Sequence, residues 1–242
     1  LTQYTPQLLV SIRQHTVERI LVYVLTAIVL CLQDILLKIV VNEQQHSKRE
    51  ATCRKILEYL LEQDVPGATM KRGTAGLNDR GVLNYELLED PYFNDLPIII
   101  ESVMDKAVME KIEGGLRQMT VHGQIAKIDG TDEKNRAGHD HFVVKIYTKE
   151  SGKKKKKGEY EKVLELLQKH KAVWGTVTKA VAGYGSDRII YGQHIFSPSE
   201  HLPLVIECVA DGEHLNQLLN DLSEVVTEGA VFTAPVNLII NQ

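Results

Sequence analysis

Glycines standing beside cations recur in two stretches of this chain. That combination lets backbone N–H groups and a charged side chain close together on an anion. "GATMKRGTAGLN" (residues 67–78) places Lys71 and Arg72 against Gly73 and Gly76, with Arg80 just beyond. "WGTVTKAVAGYG" (residues 174–185) places Lys179 before Gly183 and Gly185, with Arg188 just beyond. Such a set could hold a phosphate or a carboxylate, and a plain turn would use the same glycines. No G-x-x-x-x-G-K-[ST] is present, so neither stretch is a P-loop. Other reactive sets are thin. "HDH" (residues 139–141) has no companion cluster of metal ligands, and "GKKKKKG" (residues 152–158) lacks the aromatic or arginine support of a nucleic-acid site. Neither G-x-S-x-G nor H-E-x-x-H occurs, and the sequence reads as non-enzymatic.

The two glycine stretches are related by a constant offset. Adding 107 carries Lys38-Ile39 to Lys145-Ile146, Leu57 and Leu60 to Leu164 and Leu167, and Ala75-Gly76 to Ala182-Gly183. Beyond the loop the offset is 106, pairing "LPIIIESV" (residues 96–103) with "LPLVIECV" (residues 202–209) and Glu101 with Glu207. A duplicated domain follows, with its one length change inside a loop, where such changes are tolerated. Each copy reads as strand, helix, strand, strand, helix, strand. β-branched runs mark first strands at 35–41 and 142–148, and second strands fall at about 68–74 and 175–181. Cys53, Ile56, Leu57 and Leu60 form one helical stripe, repeated by Tyr160, Val163, Leu164 and Leu167. Met109, Ile112 and Leu116 form the second, repeated by Leu215, Leu218 and Leu222. Last strands begin at Gly123 and Gly229, the latter running to Ile240. The fold class is therefore α+β, two tandem ferredoxin-like βαββαβ domains. Both helices cover one sheet face, so the other face must be covered too, or meet a ligand or partner. Trp174, entering a strand from a helix, is expected to pack.

The expected organisation is an N-terminal apolar segment over 1–34, copy 1 over 35–128, a polar linker over 129–141 and copy 2 over 142–242. The N-terminal segment holds "ILVYVLTAIVLCL" (residues 20–32), too short for a membrane span of about 20 residues and apolar all round as a helix. An extra buried helix is expected there, with a membrane-proximal role as the alternative. A net charge of −4 gives no general attraction to nucleic acid. Cys31, Cys53 and Cys208 are odd in number and lack C-x-x-C spacing, which fits buried thiols in a reducing cytoplasm. The intervals 75–95 and 182–201 are long for loops inside a compact domain and are the first functional suspects.

"GTVTKAVAGYGSDR", "LPLVIECV" and "EGAVFTAPV" together resemble the PII-like family catalogued as domain of unknown function 190. Copy 1 keeps "GATMKRGTAG" and "LPIIIES" but has Asn78 in place of the second loop glycine and "VHGQIA" in place of the family's E-G-L-V-T. The resemblance implies a homotrimer in which three chains close two rings, with ligand clefts between neighbouring domains. It implies an adenine nucleotide (ATP, ADP or AMP) or similar small anion as ligand, while the residues themselves lead to no expected metal site. Carried onto this chain, the ligand positions are Lys179, Gly183, Gly185, Arg188, Glu228 and Gly229. The weaker counterparts are Arg72, Gly73, Gly76 and Gly123, with His122 beside them. A partner reading the long loops would be a membrane transporter or channel. The rival expectations are a ligand-free assembly module and an enzyme acting on a phosphorylated small molecule.

Overall fold

The computed structural model describes residues 34–44, 46–47, 50–78, 80–86, 95–132, 136–149, 158–192 and 202–239. The N-terminal segment up to residue 33, the lysine run and Cys31 lie outside them. Copy 1 comprises β1 (Asp34–Asn42), the two-residue strands β2 (His46–Ser47) and β3 (Glu50–Ala51), α1 (Thr52–Glu62), β4 (Ala68–Arg72), β5 (Ala75–Leu77), β6 (Leu83–Tyr85), β7 (Pro97–Asp105), α2 (Lys106–Met119) and β8 (Gln124–Asp129). Copy 2 comprises β9 (His141–Lys149), α3 (Glu159–Lys169), β10 (Val173–Lys179), β11 (Ala182–Tyr184), β12 (Tyr191–Gly192), β13 (Pro203–Asp211), α4 (Leu215–Val225) and β14 (Ala230–Val236). β14 stops short of residue 240 because its partner runs out: Val236 already pairs with His141, where β9 begins.

Each copy builds the same antiparallel sheet, in the order β4-β7-β1-β8 and β10-β13-β9-β14. The two sheets make the chain a pair of ferredoxin-like α+β units, as the element order predicts. Alternation along β1 turns Leu37, Ile39 and Val41 toward the helices, where Ile56, Leu57, Leu60, Met109, Ile112 and Leu116 meet them. In copy 2, Val144, Ile146, Ile206 and Cys208 meet Val163, Leu167, Leu215, Leu218 and Leu222. Each such fully buried aliphatic contributes about 1.5–3 kcal/mol. Among the described residues no helix is long and apolar enough to cross a membrane.

The second faces of the two sheets meet over part of their area. Leu36, Phe232 and Ala234 are buried there, with Val103, Val143 and Tyr147 packed around them. The copies also share a sheet: β11 pairs antiparallel with β4, Ala182 opposite Met70 and Gly183 opposite Thr69, so the first sheet reads β12-β11-β4-β7-β1-β8. Past β8 the chain is tied down at once. The Gly130 N–H donates to the Asp34 carbonyl at 2.8 Å and the Thr131 N–H to the Thr233 carbonyl at 2.7 Å, hooking copy 1 to the last strand of copy 2.

Two sequence expectations about single residues part company here. Trp174 does not pack: it is 77% exposed, with φ at +55°. The reason is position, since β10 is the outer strand of its sheet and its register slips between Val173 and Thr176. Cys53 and Cys208 are buried as expected, and burial pushes both thiols up, Cys208 to about 12 with Glu207 adding to it. Neither should react with iodoacetamide at neutral pH until the chain unfolds. Mass spectrometry checks this, and stoichiometric labelling of either residue in the native protein would contradict the burial.

Candidate ligand site at the boundary of the two copies

Most of the glycines that drew attention have packing reasons to be glycine. A Cβ on Gly76 would sit 2.7 Å from Cγ of Pro97, and one on Gly183 2.8 Å from Cγ of Pro203. Pro97 and Pro203 open β7 and β13, so the glycine loop and the Leu-Pro step are two halves of one contact in both copies. Gly73 meets Pro97 at 2.9 Å in the same way. Gly183 is bound further by its pairing with β4, where a Cβ would lie 2.5 Å from the Ala68 carbonyl oxygen. Gly123 and Gly229 occupy equivalent places before the last strands, at φ of +150° and +139°. A Cβ on Gly123 would lie 2.5 Å from the Val40 oxygen, and one on Gly229 1.9 Å from the Tyr147 oxygen. A shape requirement of the backbone accounts for these residues before any ligand is invoked.

The cations divide. Arg188 reaches into copy 1: its guanidinium donates to the Leu61 carbonyl and pairs with Asp64 at 3.0 Å, where α1 ends. Arg72 pairs with Glu43 at 2.8 Å and Glu86 at 2.5 Å, fastening β4 to the turn after β1 and to the end of β6. Lys179 stands at the exposed end of β10. The cation at the base of the copy-2 loop is Lys149, the last residue of β9, which sequence reasoning missed. Its Nζ lies 2.8 Å from Asp187 and 2.9 Å from Glu228. Ser186 Oγ donates to Glu228 at 2.5 Å, Tyr191 Oη donates to Asp187 at 2.9 Å, and the Lys149 ammonium is 5.7 Å from the Tyr191 ring centre.

This cluster gathers the loop after β11, the turn before β14 and the end of β9, and it touches copy 1. Gly185 has its Cα 3.7 Å from where a Cβ on Gly67 would stand, and its own Cβ would lie 3.2 Å from Lys149 Cε. Burial pushes the Lys149 ammonium down, and the bonds to Asp187 and Glu228 outweigh it and hold it above its ordinary value. Lys149 and Ser186 hold Glu228 low. Burial would raise Asp187, but Lys149, Tyr191 and the Ile189 N–H overcome it. With one cation between two carboxylates, an anion enters only by exchange, displacing a carboxylate from Lys149. Glu228, with 47% of its side chain exposed, is the one placed to yield.

Copy 1 does not rebuild the cluster. Asn42 stands where Lys149 does and donates to Asp95 at 3.0 Å, and His122 stands where Glu228 does. Of the residues expected at the site, Gly185 and Glu228 meet at Lys149, Gly229 packs on the backbone of β9 at Tyr147, Lys179 ends β10, Gly183 and Arg188 serve the contact between copies, and Arg72, Gly73, Gly76 and Gly123 serve copy 1 internally. The signal for Lys149 was available in the duplication, as a lysine against an asparagine at the end of the first strand.

A second unforeseen group lies between the sheets. Glu101, 1% exposed, accepts from Lys71 of its own sheet at 2.8 Å. From copy 2 it accepts Lys145 at 2.7 Å and the Tyr147 hydroxyl at 3.2 Å. Lys145 also reaches Glu207 at 3.1 Å.

A doubled ferredoxin-like unit with a polar cluster at the seam of its copies defines a tandem α+β protein. The chain belongs to the DUF190 family, described as an uncharacterized ACR, whose pattern matches residues 34–129 and again 141–238. UPF0166 protein MJ1524 of Methanocaldococcus jannaschii is 34% identical over 84 residues, 35% of this chain and 77% of that protein. An unknown protein from Galdieria sulphuraria, solved by crystallography, aligns at 9% identity over 85% of this chain and 99% of its own, with a TM-score of 0.27. At that score the alignment carries no weight for fold or function.

Proposed function

We propose that this chain is a PII-like regulatory protein, non-enzymatic, that binds a small anion with an adenine nucleotide foremost. The observation that carries the reading is the Lys149 cluster, set where the glycine loop, the turn at Glu228 and Gly67 of copy 1 converge. An arriving phosphate takes Lys149 from Glu228, and the freed carboxylate and Ser186 loosen their hold on the loop. The interval 182–201 then presents a different surface to a partner, for which a membrane transporter or channel in contact with the cytoplasm is the proposed class. The working assembly in this reading is a homotrimer. Nucleic acid is not a ligand, given the net charge of −4.

Titration calorimetry against ATP, ADP, AMP and cyclic nucleotides, with and without magnesium, tests the proposal. Micromolar binding at one site per chain is expected, because copy 1 lacks the lysine. Lys149→Ala should weaken it by about 10- to 100-fold, the worth of one charge-assisted hydrogen bond. Arg72→Ala, whose guanidinium is held inside copy 1 by Glu43 and Glu86, should leave it unchanged. No heat with any nucleotide would reject the reading. That outcome would favour an assembly module without a ligand, which Gly183 and Arg188 already support through their service to the contact between copies.

A further inference from the structure

In sequence, "HDH" (residues 139–141) stands without companion ligands, and the fold supplies them. β9 begins at His141 and pairs antiparallel with the end of β13, His141 opposite Asp211. The Gly212 N–H donates to the Asp140 carbonyl at 2.8 Å, so Gly212 and Asp140 form a hydrogen-bonded pair. His141 and Asp211 are then the adjacent non-bonded pair, whose Cβ atoms stand about 4.5–5.5 Å apart on one face of the sheet. Past Asp211 the chain turns, and Glu213 and His214 come round to it. Among the described residues, a carboxylate oxygen of Asp211, one of Glu213 and a ring nitrogen of His214 lie within 4.8 Å of one another, all three side chains being exposed. The Glu213 N–H donates to Asp211 Oδ1 at 2.7 Å, which fixes that carboxylate.

Two further observations point to a cation. Two residues before His141, His139 keeps Nδ1 buried with no hydrogen-bond partner. A buried imidazole nitrogen in that state is costly unless a ligand uses it. Copy 1 shows, in addition, that the turn itself does not require these residues. There Asp34 pairs with Asp105 in the same register, but Lys106, Ala107 and Val108 stand where Gly212, Glu213 and His214 do. The same strand leads into the equivalent helix with no imidazole and with an added ammonium. On the copy 2 side the guanidinium of Arg136 is engaged by Asn216 of α4 at 2.7 Å.

We propose that Asp211, Glu213 and His214, with an imidazole of the 139–141 segment, bind a divalent transition-metal ion of the zinc, cobalt or nickel class. Imidazole nitrogen with carboxylate oxygen suits these ions, whereas calcium and magnesium take oxygen sets and copper(I) takes thiolates. Ligand atoms lie about 2.0–2.2 Å from such an ion, so the 4.8 Å span closes with side-chain movement on the order of 1 Å. Exposed side chains make that movement freely. The bound ion clips the end of the linker to the turn before α4 and fixes how the chain enters copy 2. The site lies apart from Lys149, at the opposite end of β9, and does not depend on the anion reading.

Titration of the intact chain with zinc chloride by calorimetry, and with cobalt(II) by absorption, tests this. One ion per chain is expected at micromolar affinity, and the cobalt bands should depart from those of the hydrated ion. Zinc at a hundredfold excess over its dissociation constant should raise the thermal midpoint by about 5 °C, and EDTA should reverse the rise. The double variant Glu213→Ala with His214→Val carries copy 1's residues into the equivalent turn. It should keep its circular dichroism and bind zinc about 100-fold more weakly. His139→Ala with His141→Ala should weaken zinc by about tenfold. Absence of binding, a cobalt spectrum equal to that of the hydrated ion, or wild-type zinc affinity in either folded double variant would each overturn the proposal.

Discussion

A Glu101→Gln chain is expected to unfold about 3–5 kcal/mol more easily than the wild type, the cost of breaking a buried ion pair by removing one partner. Lys71 and Lys145 converge on Glu101 with only 15% and 10% of their side chains exposed, so neither can turn to water when the carboxylate is lost. Two cations would then share the seam between the sheets. Denaturant midpoints measure the effect. Replacing all three by leucine and methionine, as Glu101→Leu with Lys71→Met and Lys145→Met, should restore part of the stability, because no buried charge is left unpaired: Glu207, which loses Lys145, is 46% exposed, and the remaining cost is the Tyr147 hydroxyl without its acceptor. A Glu101→Gln midpoint equal to wild type would mean that water reaches these groups after all.

The same seam sets how stability depends on pH. Burial raises Glu101, but the bonds from Lys145 and Lys71 outweigh it and hold the carboxyl below its ordinary value. Its contribution is therefore present above about pH 4.3 and is lost as pH falls through the lower folded value. Burial pushes Lys145 down, and Glu101 and Glu207 more than reverse it. That contribution is present below about pH 10.4 and is lost as pH rises through the folded value. Burial, with Glu101 beside it, keeps the Tyr147 phenol protonated well past its usual range, so the hydroxyl remains a donor throughout. Stability should thus be flat between roughly pH 5 and 8 and fall on both sides, the buried Cys53 and Cys208 thiols adding to the alkaline loss.

Gly229→Ala is the other substitution with a large expected effect, a loss of roughly 3–5 kcal/mol from left-handed strain and overpacking together. The added methyl would stand 1.9 Å from a backbone oxygen of β9 and 3.0 Å from its carbonyl carbon, and no side-chain rotation relieves a clash with backbone. β14 would have to move off β9, taking Phe232 and Ala234 out of the seam between sheets. Gly138→Ala is the matched control: its φ is also positive, at +93°, but among the described residues nothing lies within 4 Å of the new Cβ, so only the smaller conformational cost applies. Thermal unfolding of the two variants separates clash from strain. Equal midpoints would show that β14 shifts at little cost.

The fold was legible because its signals are local and were printed twice. The helical stripes at Cys53–Leu60 and Leu215–Leu222 each lie on a single element, and the offset of 107 let one copy correct the reading of the other. The seam was not legible. Glu101 and Glu207 stand out as equivalent positions, but nothing in sequence says that Lys145, 44 residues away, crosses to Glu101 from another sheet. The glycines announced themselves, while the cause did not. Gly76 and Pro97 are far apart along the chain, and a glycine kept for a proline ring looks the same in sequence as one kept for a phosphate. Trp174 was read as packing because a strand was read as covered, and whether a strand is central or outermost is a property of the assembled sheet.

The segment from Asp129 to His141, short and hooked at Gly130 and Thr131, does more than join two domains. A tether this brief holds its ends at an effective concentration on the order of millimolar or above, whatever the protein's concentration in solution. The seam between copy 1 and copy 2 is therefore immune to dilution, while a seam made of the same surfaces between separate chains is not. Duplication makes the contact between the copies a fixed part of one chain rather than a bimolecular equilibrium.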